Sequence, residues 1–116
     1  MLKKAFRFHG HNSLNFVHSK GSSVRSSYFQ LKFSANNRRK DSRLAVVVSK
    51  KVAKRAPARN RIRRRVYEAA RLQWPMIDSP YDMVITVFDE RVADMPAADI
   101  NRSVVELLHK AKLYKN

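Results

Sequence analysis

The chain has 116 residues, 44% of them apolar, which is enough for one compact domain with its own core. Lysine and arginine number 25 against 9 acids, and the resulting charge of +16 points to a polyanionic partner rather than to a particular fold. The lack of cysteine excludes a disulfide scaffold, a thiolate zinc site and a cysteine nucleophile, and no apolar run approaches the length of a bilayer span.

In chain order, residues 1–10 show no period and read as a mobile basic arm ahead of a single domain over 11–116. Leu14, Phe16 and Val17 predict a brief helix, capped by Asn12 or Ser13 and stopped by Gly21. From Ser22 to Ser34 the pattern is extended, with Phe29, Leu31 and Phe33 alternating with Tyr28, Gln30 and Lys32 as in a half-buried strand. A polar turn follows at Asn36–Asp41. Leu44–Val48 is a continuous, mostly β-branched run, as expected of a central strand covered on both faces. Pro57 suits the first turn of a helix running to about Leu72, with an apolar stripe of Ile62, Val66, Ala69 and Ala70.

Trp74-Pro75 and Ser79-Pro80 mark the helix exit and a loop, and Tyr81–Phe88 is a second buried strand. Asp94 and Pro96 introduce a last helix carrying Ile100, Val104, Leu107, Leu108 and Ala111 on one side. The order α-β-β-β-α-β-α describes a small α+β domain, a sandwich of a mixed four-stranded sheet with helices. Its β-helix-β unit would have a right-handed crossover by the general rule for adjacent parallel strands. Without a signal-peptide pattern after Lys3 and Lys4, the chain reads as soluble and cytoplasmic.

The charge is unevenly placed. Residues 1–71 hold 20 Lys/Arg against only Asp41 and Glu68, whereas residues 72–116 hold 5 against 7 acids. Thirteen cations fall between Arg38 and Arg65, inside a stretch of apolar periodic segments, which argues against a disordered basic tail. On the helix, Asn60, Arg61, Arg64 and Arg71 share an arc opposite Ile62 and Val66. Like charges one turn apart repel, and cations near the N-terminus oppose the helix macrodipole. That placement is poor for stability and coherent for phosphate capture, because guanidinium forks and free N–H groups converge on one anion.

Ser49-Lys50-Lys51, seven residues, then Arg59-Asn60-Arg61-Ile62-Arg63-Arg64 resembles the signature of the bacterial ribonuclease P protein component. The resemblance extends to the length, the basic N-terminus, the element order and the final helix. It implies a protein that assists a catalytic RNA in removing the 5′ leader of precursor tRNA, itself inactive, with Mg²⁺ bound mainly by the RNA. It implies further that Arg59, Asn60 and Arg61 face the catalytic RNA, with Arg63, Arg64, Lys54 and Arg55 beside them. A sheet face and the first helix would bind the single-stranded leader, with Phe16, Phe29, Lys50 and Lys51 as candidates. A core role for Phe29 stays open, because it shares its strand face with Leu31 and Phe33. The family's crossover is left-handed, against the general rule.

Tyr67 stands where the family commonly has Arg, and Arg65 where it is commonly apolar. Leu14, His18 and Lys32 stand at or near positions that are often aromatic, which shifts leader recognition from stacking toward charge.

The remaining residues offer no protein-side catalytic set and no metal site. Asp78, Asp82, Asp89, Glu90, Asp94 and Asp99 read as loop acids or element ends, and Asp89-Glu90 as a solvated cap rather than a Mg²⁺ site. His9 and His11 lack further ligands, and His109 reads as a surface or packing residue. Trp74 reads as buried at a helix end rather than as a base-stacking platform. No nucleophile elbow or P-loop is present. No membrane and no obligate protein partner is expected. The competing reading is a structural RNA-binding protein such as a ribosomal protein.

Overall fold

The computed structural model describes residues 2–7, 16–17, 20–78 and 80–115. Four strands, β1 (Ser22–Arg25), β2 (Phe29–Ala35), β3 (Arg43–Val48) and β4 (Tyr81–Val87), form one sheet in the order β1-β2-β4-β3. β1 pairs with β2 and β2 with β4 in antiparallel fashion, whereas β3 lies parallel to β4. The parallel pair is connected through helix α1 (Ala56–Gln73), and helix α2 (Ala97–Lys110) follows β4. The α+β class and the mixed four-stranded sheet match the sequence expectation. Among the described residues, no helix is long and apolar enough to cross a membrane.

Alternation along the strands gives the sheet two unlike faces. Phe29, Leu31, Leu44, Val46, Met83, Ile85 and Val87 point into the main core. There they meet Ile62, Val66, Ala69 and Ala70 of α1 and Ile100, Val104, Leu107 and Leu108 of α2. The second face carries Gln30, Lys32, Thr86 and Val47, and among the described residues its buried apolar side chains are the small cluster of Val17, Ala45 and Val84. Phe16 and Val17 are helical, as expected, while Leu14 and His18 and the caps Asn12 and Ser13 lie outside the described residues.

Gly21 does follow this helical stretch, for a reason other than a left-handed backbone. Its N–H donates to the Val17 carbonyl at 2.9 Å. A Cβ there would sit 2.5 Å from the Val17 oxygen and 2.8 Å from the Phe33 oxygen, so close backbone approach requires glycine.

Two expectations are corrected. β3 is an edge strand, not a central one. Its apolar run reflects burial on both faces, by α1 on one side and Val17 on the other, and burial does not fix the number of strand neighbours. Residues 2–7 are not a free arm either. Leu2 is buried in the core, Lys4–Phe6 make a 3-10 turn, and Arg7 bridges to Leu44 on the open edge of β3. Phe6 packs on Trp74 with ring centroids 5.5 Å apart, which accounts for the half-buried tryptophan.

The chain end is also tied down. Ile77 bridges Tyr114, and the Tyr114 hydroxyl donates to Gln73 Oε1 at 2.8 Å. Lys112 takes the left-handed position after α2, where Leu113 N–H reaches the Leu108 carbonyl at 3.1 Å.

Candidate nucleic-acid interface

α1 starts at Arg55, whose φ of −87° and ψ of 133° suit an N-cap but whose side chain makes no capping hydrogen bond. The first turn holds no acid, so the positive end of the helix is neither capped nor neutralised. Ile62, Val66, Tyr67, Ala69 and Ala70 are buried and fix the rotation of the helix. Asn60, Arg61, Arg64 and Arg71 are all exposed on the opposite side, as the arc predicted.

The arginines of this helix divide by what they hold. Arg59 donates from Nη1 to the carbonyls of Ala53 and Lys54, both at 2.9 Å, and so staples the loop ahead of the helix to its first turn. Arg61 Nε donates to the Ala93 carbonyl at 2.6 Å and lies 3.8 Å from Asp94. Arg65 reaches the carbonyls of Val92 at 3.0 Å and Ala93 at 2.7 Å, and also that of Met95. Arg61 and Arg65 thus clamp the 3-10 turn Glu90–Ala93, whose start is capped by Asp89 accepting from Arg91 N–H at 2.9 Å. Arg63 hydrogen-bonds Asn60. At the far end, the Arg71 guanidinium bonds Glu68 and pulls that carboxyl down to about 2.

Lys50, Lys51, Lys54, Arg55 and Arg64 are exposed and, among the described residues, make no hydrogen bond or ion pair through their side chains. These five cations surround the uncapped end and outer face of α1. Lys51, Lys54 and Arg55 line one cleft with Arg91, Glu90 and Asp94, which places the Ser49–Arg55 loop against the clamped turn.

The expected leader residues do not form one group. Phe29 is 0% exposed and packs in the core, so it offers no face to a base; the alternation that pairs it with Leu31 decides against the leader role. Phe16 is 57% exposed, but its cleft contains Ser34, Asn36, Arg38, Arg43 and Asp82. Arg43 and Asp82 pair in register at the start of β3, whereas Lys50 and Lys51 follow its last residue, Val48. Phe16 and the two lysines therefore stand at opposite ends of the same sheet. The lysine end also carries Phe88, on whose ring the Arg25 guanidinium lies at 4.6 Å from the centroid.

Four residues do more than the sequence reading gave them: Asp82, Tyr67, Gln30 and Lys32. Asp82 lies at the start of the predicted strand, as expected of an element end, but it is buried and ion-paired there. Arg43 holds it through two bonds of 2.9 Å, and Asn36 Nδ2 donates to it at 2.8 Å. Burial favours the neutral acid, but the hydrogen bonds from Arg43 and Asn36 and the nearby guanidinium charges outweigh it and hold the carboxyl below its usual value. Tyr67 is buried, and its hydroxyl accepts from Val46 N–H at 3.2 Å and donates to the Leu44 carbonyl, securing α1 to the edge strand. Gln30 and Lys32 mark the second sheet face, and their alternation with Phe29 and Leu31 was the signal for it.

Fold and site together define a small basic α+β protein whose arginine-bearing helix is anchored on one side and open to a polyanion on the other. The family model for ribonuclease P matches residues 2–112. The ribonuclease P protein component of Chloroflexus aurantiacus is 35% identical, covering 97% of this chain and 82% of that protein. The component of Symbiobacterium thermophilum is 30% identical, covering 97% and 96%. The Staphylococcus aureus RNase P protein superposes with a TM-score of 0.84 at 27% identity, over 97% of this chain and 100% of that one. The Thermotoga maritima RNase P protein shares the fold, with a TM-score of 0.79 at 23% identity.

The chain belongs to the ribonuclease P protein family, the protein components of a ribonucleoprotein endoribonuclease in which the catalytic role lies with the RNA. The ribosomal-protein alternative is not favoured.

Proposed function

We propose that this protein binds the catalytic RNA of ribonuclease P through the outer face of α1 with Lys54 and Arg55 ahead of it, and binds the 5′ leader of precursor tRNA on the second sheet face, at the end bordered by Lys50 and Lys51. One observation carries the reading. Lys50, Lys51, Lys54, Arg55 and Arg64 lack protein partners among the described residues, and they sit on a frame that Arg59, Arg61 and Arg65 make rigid through backbone carbonyls. Preorganised cations bind phosphate without first paying to order a loop.

The lysines and arginines here do not fit a metal, because guanidinium and ammonium groups carry no lone pair for a cation, and Glu90 and Asp94 belong to no group of three metal-ligating side chains among the described residues. Mg²⁺ is accordingly assigned to the RNA. Arg61 and Asn60 keep their place in the RNA face, while the contacts of Arg61 to Ala93 give it a second, structural duty. The protein acts in the cytoplasm, with no membrane and no obligate protein partner.

Reconstitution with a ribonuclease P RNA, followed by precursor-tRNA cleavage at low Mg²⁺, tests the reading. The protein alone should be inactive, and the assembled particle should cleave where the RNA alone fails. Within that particle, Lys51→Ala should weaken binding of leader-bearing precursor tRNA and leave mature tRNA nearly unchanged. An equal loss for both ligands would assign Lys51 to the catalytic RNA or to the fold.

A further inference from the structure

The second sheet face has a cationic group at each end, and only one of them adjoins α1. Lys50 and Lys51 follow the last residue of β3. Arg38, Arg39 and Lys40 precede its first residue, on the turn between β2 and β3. Six strand residues separate the two groups, a distance of roughly 20 Å.

The distal turn is well ordered by its own bonds. Asn36 Oδ1 accepts from Arg38 N–H at 3.3 Å, and Arg39 N–H donates to the Asn36 carbonyl at 3.1 Å. The same Asn36 side chain donates to Asp82, so the turn is locked to the sheet. Asp82 is already held by Arg43 and Asn36. Asp41 is the one acid sharing the cleft formed by Ala5, Arg38, Arg39, Lys40 and Arg43.

Arg38 also borders the cleft that holds the exposed ring of Phe16. An aromatic platform beside cations on a fixed backbone is the combination that single-stranded nucleic acid uses, base on ring and phosphate on charge. On the reading proposed above, the RNA-facing helix adjoins the lysine end, so the cleavage site falls there and the leader runs away from it.

We propose that Arg38, Arg39 and Lys40, with Phe16, form a distal landing site that only longer leaders reach. This rests on the leader reading above and adds a direction and a length dependence to it. The site takes phosphate backbone by charge and one base by stacking, so it selects by leader length rather than by sequence.

The test uses the reconstituted particle and precursor tRNAs with leaders of about 4 and about 16 nucleotides, which bracket the site sizes of single-strand-binding folds. The variant R38Q/R39Q/K40Q should lower affinity for the long leader and spare the short one. Its salt slope on the long leader should fall by about 2 units, since each single-strand phosphate contributes about 0.7. Phe16→Ala should show the same length dependence without the change in slope. Equal losses on both leaders, or none on either, would overturn the distal site. Lys51→Ala, titrated in parallel, separates the two ideas. If it still discriminates precursor from mature tRNA while the triple variant shows no length dependence, the distal site alone fails. If it does not discriminate, the leader reading fails and the distal site with it.

Discussion

α1 and α2 pack on the same core, yet their charges are arranged in opposite senses. α2 has Asp99 in its first turn and His109 and Lys110 in its last, in accord with the macrodipole, and its pairs Asp99–Arg102 and Glu106–Lys110 lie at helical spacing. Neither helix has a side-chain cap, but α1 also has no acid in its first turn and carries a row of arginines near its positive end. Its one intrahelical ion pair, Glu68–Arg71, is in the second half. Local electrostatics therefore add to the buried stripe of Ile100, Val104, Leu107 and Leu108 that holds α2. α1 depends on its buried stripe and on carbonyl clamps, and a bound polyanion removes what repulsion remains.

The sharpest way to break this contrast is to remove the stripe. Ile62→Ala should destabilise the protein by about 2–5 kcal/mol, the range for a buried aliphatic cut to alanine, read by chemical denaturation. A value near zero would mean that α1 is held by its charges after all. Next in size is Arg65→Ala, which leaves the carbonyls of Val92, Ala93 and Met95 without their cationic donor. A loss of about 2 kcal/mol is expected, within the range for hydrogen bonds to charged groups. Arg64→Ala, one position earlier, should leave the denaturation midpoint in place. It should weaken binding to the catalytic RNA and lower the salt slope by about one unit. If Arg64→Ala and Arg65→Ala lowered stability and RNA affinity alike, the division of α1 into clamps and contacts would be wrong.

The sheet supplies an acid-dependent counterpart. Asp82 has its folded-state pKa lowered, so the stabilisation it gives is full above the unfolded aspartate value of about 3.9 and is lost as pH falls through the lower folded value. Denaturation curves should therefore show a drop in stability below about pH 4 that is reduced in Asp82→Asn. An unchanged acid limb in that variant would remove Asp82 from the account. The Glu68 carboxyl at about 2 titrates in the same direction but is surface-exposed, so it should contribute little.

What could be read from the sequence was whatever periodicity records. The alternation through Phe29, Leu31 and Phe33 and the stripe through Ile62, Val66, Ala69 and Ala70 correctly gave a strand, a helix and their buried sides. The same alternation already placed Phe29 in the core; treating it as a leader residue set a family expectation above the parity of its own strand. The edge position of β3 was not legible, because an apolar run reports burial and says nothing of hydrogen-bonding neighbours. Nor was the docking of residues 2–7, since one buried leucine and a three-residue 3-10 turn leave no period to detect. The two classes of arginine were hidden for a further reason. Arg61 and Arg65 meet carbonyls about thirty positions away, at Ala93 and its neighbours, and no local spacing encodes that.

The smallest expected effect tests the opposition between stability and binding most directly. Arg55 already has cap geometry, and its carbonyl accepts the N–H of Arg59 at 3.2 Å as the first helical bond. Only a side-chain acceptor is missing. Arg55→Asp should add about 1 kcal/mol from the cap, and a further contribution of about 0.3–1 kcal/mol from placing an anion at the positive helix end. Arg55→Ser should supply most of the first gain and none of the second. Both should bind the catalytic RNA less tightly, the aspartate more so, because it sets a negative charge among Lys51, Lys54 and Arg64. Parallel denaturation and RNA titrations of the two variants would then move in opposite directions, with serine between the wild type and aspartate on both axes. If the aspartate variant were more stable and bound RNA as well as the wild type, the uncapped helix end would not be a binding feature. The arginine at the cap would then have to be explained by something other than the partner.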